Sequence, residues 1–483
     1  MGCTSLKANQ LYRRLNEFEL KEHSKTIKSK EDEYTIHYPQ HKIGDYFAVG
    51  IEDKDYNEFE AKSRQLISKE LLSGKKNLLL ASKEAFVLSI LRNEGMRKKI
   101  LKIVRNHGLI HAFRWQTWYS LAVNDSTFVP NGNRINKRKA IYNNLIAKSN
   151  DEIDEIVDKD VTRTCNHKEL FREPTSIGAI QLANVCKAIG GFFPKMGYVQ
   201  GMNFIVSFLL EVSGMEEFEA FNFLSCFWMK EKNLYYGLYE PGFPMLDFMK
   251  FCFKSFLELI NVKVFRIIDK IGLPYELWVS KWFLSFFTLG FEKKYILRIF
   301  DFLVTADAFG PVYVALAIAN QLKKLFMCED MHQISIVLQS KEKLNTFLNY
   351  YEFSKTLKNM NFDHKTKLQL LKDYYKSLSG EEADRFQPFF DKLEKHLLLN
   401  KFEYHEDFDF DNEYETVETL FEQRKSKQSE QIVMGGYKVK ENVLTDKTNL
   451  YQSKSQLNKL KSIDNFKREE RKRRKQDKFF QIR

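Results

Sequence analysis

Three short blocks combine residue types that pure packing seldom selects. In Gly108-Leu-Ile-His-Ala-Phe-Arg-Trp-Gln-Thr-Trp118, Arg114 and Trp118 fall on one face of a helix, where guanidinium and indole can form a cation-π pair. Such an R-x-x-x-W is common, and its ordinary use is to anchor helices. In Val157-Asp-Lys-Asp-Val-Thr-Arg-Thr164, Asp160 lies one turn before Arg163 and can hold the guanidinium stem in a fixed direction. The plain alternative is a solvated ion pair, which contributes little. In Gly197-Tyr-Val-Gln-Gly-Met-Asn203, Gln200 offers an amide donor and acceptor beside the flexible Gly201 at a helix entry, with Asn203 available as a cap.

The elements that must hold these blocks read as helices. The chain has 483 residues, with 42 Phe against 9 Pro and 21 Gly, a balance that favours long packed helices over turn-rich sheet. Phe86, Ile90 and Leu91 lie on one helical face up to Gly95. A second helix follows through Ile100, Ile103 and Val104 and stops at His107-Gly108. Phe204 to Val212 is apolar on every side and predicts a buried helix directly behind the Gln200 block. Breakers at Gly190-Gly191, Pro194, Pro241-Gly242, Pro244, Gly272, Pro274 and Gly310-Pro311 divide the rest into pieces of helical length, with no hairpin pattern between them. Leu344, Phe347, Leu348 and Tyr351 continue at helical spacing, so residues 330–400 are expected to pack onto the same body or extend it.

Other classes are disfavoured. No G-x-x-x-x-G-K-[ST], G-x-G-x-x-G or H-E-x-x-H stretch occurs, and the six cysteines form no C-x-x-C pair, so no metal ligand set and no cofactor of the chain's own is expected. The scattered cysteines suit a reducing compartment. The most apolar long stretch, Phe302 to Ala319, contains Asp307 and Gly310-Pro311, which argues against a membrane span. The net charge of +12 is uneven: residues 421–483 hold 18 Lys and Arg against 8 Asp and Glu, whereas residues 401–420 hold one Lys and eight acids. A near-neutral body with a basic appendage favours tethering over a nucleic-acid cleft, and no nucleic-acid partner is expected.

Taken in order, R-x-x-x-W, I-x-x-D-x-x-R and Y-x-Q-G-M-N resemble the signature of the TBC-domain Rab GTPase-activating family. Trp278, Trp282-Phe-Leu-Ser-Phe-Phe287 and Arg298-Ile-Phe-Asp301 look like later helices of that family, so the resemblance runs over roughly residues 100–330. Val157 stands where Ile is usual, Ile110 where Pro is common, and Phe300 where Trp precedes Asp301. The resemblance implies an all-α, multi-helix domain that accelerates GTP hydrolysis by a Rab-family small GTPase and so regulates vesicle traffic. Arg163 would be the arginine finger and Gln200 the glutamine finger, both acting in trans on GTP and Mg carried by the partner, so the chain activates and turns over no substrate itself. Asp160 would orient Arg163; Tyr198, Gly201 and Asn203 would shape the Gln200 loop; Arg114 and Trp118 would be structural. A catalytically silent Rab-binding scaffold is the alternative.

The domains expected are an N-terminal extension, partly helical, over residues 1–95; the TBC domain over 96–330; a helical continuation over 331–400; and an acidic then basic, disordered tail over 401–483. Gly2 and Cys3 in Met1-Gly2-Cys3-Thr4-Ser5 are candidates for myristate and palmitate, although Leu6 stands where Ser or Thr is preferred. Lys467 to Lys478 contains eight basic residues that could meet anionic lipid. The expected location is cytoplasmic, with peripheral contact on endomembranes or the plasma membrane.

Overall fold

The computed structural model describes residues 24–28, 33–37, 54–59, 61–63, 66, 94–109, 111–123, 132–148, 150–164, 171, 173, 176–230 and 233–399. The expected helix through Phe86 and Ile90, the acylation candidates Gly2 and Cys3, and the whole of residues 401–483 lie outside them.

Eighteen labelled helices follow one another in the described chain: α1 Glu94–His107, α2 His111–Val123, α3 Gly132–Ala147, α4 Asp151–Val161, α5 Ile177–Phe192, α6 Met202–Ser213, α7 Glu217–Met229, α8 Pro244–Ile260 and α9 Val262–Lys270, then α10 Val279–Leu284, α11 Lys293–Leu303, α12 Gly310–Gln321, α13 Lys323–Phe326, α14 Met331–Gln339, α15 Lys341–Thr346, α16 Tyr350–Asn359, α17 His364–Ser377 and α18 Gly380–Leu399. The fold class is all-α. The exception among the described residues is a small antiparallel hairpin, β1 Ser24–Lys28 with β2 Glu33–His37, which pairs Thr26 with Thr35. Its Thr and Ile residues favour extended backbone, but two five-residue strands are too short for the sequence pattern to separate them from the partly helical extension expected there.

Apolar composition decides which helices lie inside. Along α6 every residue from Ile205 to Val212 is buried, Ser207 and Glu211 included, as the Phe204–Val212 run predicts, and α12 is buried from Gly310 to Ala319. These two helices, with α5 and α7, form the centre of the body, and aromatic rings fill the spaces between elements. Phe300 lies 5.4 Å from Trp118 and 4.9 Å from Phe208 by ring centroid, so the phenyl in the expected Trp position still packs into the core. Val157 is fully buried in its place on α4.

Residues 331–399 pack on the same body. Phe362 stacks on Phe256 of α8, Phe390 of α18 meets Phe248 edge-on, and Lys367 of α17 donates to Asp307 across 2.6 Å. Asp307 sits in the turn between α11 and α12, so the apolar stretch from Phe302 to Ala319 is divided between two helices. No described helix is long and apolar enough to cross a membrane. Helices α1 to α5 set the frame for the three motif blocks.

Candidate functional site

The first block resolves into a buried polar node. Arg114 on α2 donates through Nε to Asp301 Oδ1 at 3.1 Å and through Nη2 to Oδ2 at 3.3 Å. Trp118 Nε1 reaches the same Oδ1 at 2.8 Å, and the Leu109 amide reaches Oδ2 at 2.8 Å. Arg114 also donates to the Leu109 carbonyl at 2.5 Å. The expected partnership of Arg114 with the Trp118 ring is therefore replaced by convergence of both side chains on Asp301 of α11. Arg114 is 2% exposed and Asp301 1%, so a carboxylate that would be costly alone is met by four donated bonds. Gly108 is required beside it: its φ is +81°, and a Cβ there would lie 2.9 Å from Asp301 Oδ2. Nothing in the local pattern assigns Asp301 this central role. The available signal was an aspartate between Phe300 and Phe302 in an apolar helix, which demands a buried cationic partner.

The second block is shaped by the end of α4. Asn150 caps the helix by accepting from the Ile153 amide, Val157 and Val161 face inward, and Lys187 of α5 bridges Asp154 and Asp158 at 3.8 and 3.1 Å. After Val161 the chain tightens: the Arg163 amide donates to the Asp160 carbonyl at 3.1 Å, and the Thr164 amide to that of Val161 at 3.0 Å. This turn throws the Arg163 side chain outward. Arg163 is exposed, and its guanidinium makes no hydrogen bond or ion pair with the described residues.

The third block closes a loop between α5 and α6. The Met196 and Gly197 amides both donate to the Phe193 carbonyl, and the Met202 amide donates to Val199. Gly201 precedes α6 at φ +112°, a left-handed conformation that only glycine adopts without strain. At the loop's tip Gln200 is exposed, and its carboxamide has no partner among the described residues.

Hydrogen bonds join the second and third blocks. Tyr198 donates to Asp160 Oδ2 at 3.0 Å. Asn203 donates from Nδ2 to Thr164 Oγ1 at 2.6 Å and accepts from the Gly201 amide at 3.0 Å, and Thr164 donates to the Asp160 carbonyl at 2.6 Å. Tyr198, Asp160, Asn203 and Thr164 are all buried. Burial first, then Cys186 and Asp160 nearby, push the Tyr198 hydroxyl far above its ordinary pKa, so it stays a donor. Two expectations change here. The Asp160 carboxylate takes Tyr198 instead of the Arg163 guanidinium, so Asp160 fixes the arginine through its backbone carbonyl. Asn203 is no conventional cap: it reaches back to Gly201 and across to Thr164. The signal for Thr164 was present in the block, as a hydroxyl next to Arg163, but a local pattern could not reveal its partner 39 positions away.

The result is a pair of free polar side chains, one cationic and one amide, 37 positions apart in sequence and mounted on adjoining, cross-linked backbone. Such a pair can meet a negatively charged, hydrated group supplied from outside.

Residues 111–327 match the Rab-GTPase-TBC domain model. The chain is 28% identical to the human Ecotropic viral integration site 5 protein homolog over 243 residues, which is 49% of this chain and 28% of that protein. It is 35% identical to GTPase-activating protein GYP5 of Saccharomyces cerevisiae over 123 residues, 25% of this chain and 13% of that protein. The chain thus matches less than a third of the length of either relative. The crystal structure of the Chlamydomonas flagellar RabGAP TBC domain aligns at 16% identity with a TM-score of 0.49, covering 65% of this chain and 96% of that one. The stretch that matches the Rab-GTPase-TBC domain model, residues 111–327, contains Arg114, Arg163 and Gln200.

Proposed function

We propose that the protein is a GTPase-activating protein for a Rab-family GTPase and that Arg163 and Gln200 are its two fingers. The observation that supports this most is their exposure: neither has a partner among the described residues, while their neighbours Asp160, Thr164, Tyr198 and Asn203 are buried and bonded. A side chain intended for packing or for an internal ion pair would not be presented in this way. The names of relatives such as GYP5 point the same way.

GTP hydrolysis gathers negative charge on the transferring phosphoryl group and the bridging oxygen. A guanidinium brought there stabilises the transition state more than the ground state. Arg163 carries a permanent charge and a planar donor fork, which lysine lacks. Gln200 accepts from the attacking water and donates to phosphate oxygen, which orients the water without a change of protonation. GTP and Mg belong to the partner. The chain contributes residues and turns over no substrate by itself.

GTP turnover by a panel of purified Rab GTPases tests this reading. The wild-type chain is expected to accelerate at least one of them, and Arg163→Ala to remove about 10³- to 10⁵-fold of that acceleration. Binding without acceleration would leave the silent scaffold. The same reading places the protein in the cytoplasm with peripheral membrane contact, through acylation at Gly2 and Cys3 or through the basic tail, since Rab GTPases act on membranes. Substitution of Gly2 by Ala, followed by fractionation, checks that part.

A further inference from the structure

We propose that Thr164 is a positioning residue for the activation reaction, whose hydroxyl fixes the spacing and orientation of the two finger segments. The kinetic part of this proposal rests on the Rab GAP reading; the structural part does not.

A threonine hydroxyl has one proton and two lone pairs. In this structure the proton goes to the Asp160 carbonyl at 2.6 Å, so only a lone pair is left for Asn203. Asn203 must then present its amide nitrogen to Thr164, also at 2.6 Å, and its oxygen to the Gly201 amide at 3.0 Å. One hydroxyl therefore settles which way the Asn203 carboxamide points. Through Asn203 it holds the backbone that follows Gln200; through Asp160 it holds the carbonyl that accepts from the Arg163 amide. Thr164 has no exposed surface, so water cannot replace it in either bond. Tyr198 ties the same two segments at a second point, to the Asp160 carboxylate. Two cross-links restrain rotation of one segment against the other, which a single link would permit. In-line attack by an oriented water is sensitive to displacements of about 1 Å, which can cost about 10²-fold in rate.

The experiment compares Thr164→Val and Thr164→Ser in the full chain. It measures kcat and KM for the Rab GTPase that the wild type stimulates, together with hydrogen exchange at the Gly201 amide. Valine keeps the volume and removes both hydrogen bonds; serine keeps them. Thr164→Val is expected to lower kcat by about 10- to 100-fold with KM nearly unchanged and to speed exchange at Gly201 while the amides of α6 stay protected. Thr164→Ser is expected to restore both readouts. Unchanged kcat and unchanged Gly201 exchange in Thr164→Val would overturn the proposal, as would a fall in kcat that serine does not restore. If Thr164→Val fails to fold, Asn203→Asp takes its place: it can still accept from Gly201 but no longer donates to Thr164, whose single proton must then choose between the new carboxylate and the Asp160 carbonyl, so one of the two bonds is lost and kcat should fall while Gly201 protection persists. Retention of wild-type kcat there would overturn the proposal. If the wild type stimulates no GTPase at all, the functional reading fails, and exchange at Gly201 in Thr164→Val still decides for or against the clamp.

Discussion

Arg114 and Arg163 belong to the same signature, yet the structure uses them in opposite ways. Arg114 is 2% exposed and spends its charge inside the protein, on Asp301 and the Leu109 carbonyl. Arg163 is exposed and has no partner among the described residues. The buried node around Asp301 welds α2 to α11 and is closed to solvent. The proposed finger patch buries its bonded residues and leaves Arg163 and Gln200 exposed, without partners among the described residues. An arginine in a motif is thus informative about function only once its partners are known, because a satisfied guanidinium stabilises a fold and an unsatisfied, solvated one is available to a ligand.

The widest separation between the two regions should come from Arg163. Arg163→Ala is expected to lose about 4 to 7 kcal/mol of transition-state stabilisation, from the 10³- to 10⁵-fold typical of arginine fingers, while the thermal unfolding midpoint stays where it was. A midpoint that dropped with activity would mean that the side chain has a structural partner after all. The reverse pattern is expected at the node. Asp301→Ala strands a buried guanidinium and an indole N–H, and should cost about 3 to 5 kcal/mol in urea unfolding, with kcat of the remaining folded protein near wild type. Equal losses in stability and kcat would erase the distinction.

Tyr198→Phe sits between the two regimes. It removes one donor from a buried carboxylate oxygen, so a stability loss of about 1 to 3 kcal/mol is expected, with a fall in kcat smaller than that of Thr164→Val, since one hydrogen bond is lost here and two there. Stimulated turnover and chemical denaturation on the same preparation measure both quantities.

The smallest effect concerns pH at the edge of the node. His107, at the end of α1, is held down to about 4 by burial first and then by Lys358, Arg298 and Lys62 nearby. Its folded value lies below the ordinary 6.5, so the unfolded chain binds the extra proton first. Its contribution to stability is complete above about pH 6.5, is lost as pH falls from there towards 4, and changes no further below. Unfolding free energy should therefore decline less steeply across that window in His107→Gln than in the wild type. Parallel slopes would show that His107 is too well solvated to matter.

Much of the molecule could be read locally. The apolar run behind Gln200 gave α6, and the spacing of Ile100, Ile103 and Val104 before Gly108 gave α1, although α1 begins at Glu94 and so takes in the Gly95 expected to separate two helices. The interruption at Asp307 and Gly310-Pro311 separated α11 from α12. The β1–β2 hairpin escaped because its strands are short. Asp301 and Thr164 escaped for a different reason: each is defined by partners far along the chain, Arg114 at 187 positions and Asn203 at 39. Asp160 was singled out for its carboxylate, yet that group faces Tyr198 and its carbonyl is what meets Arg163.

By itself the sequence determined the helical class, the order of the three blocks and the presence in them of two arginines and a glutamine, because periodicity and side-chain type are local properties. Tertiary structure alone decided which arginine is consumed and which is free, and which hydroxyl sets the direction of Asn203. Burial and hydrogen-bond satisfaction depend on what the rest of the chain brings alongside, and one polar group can be anchored or available according to that company.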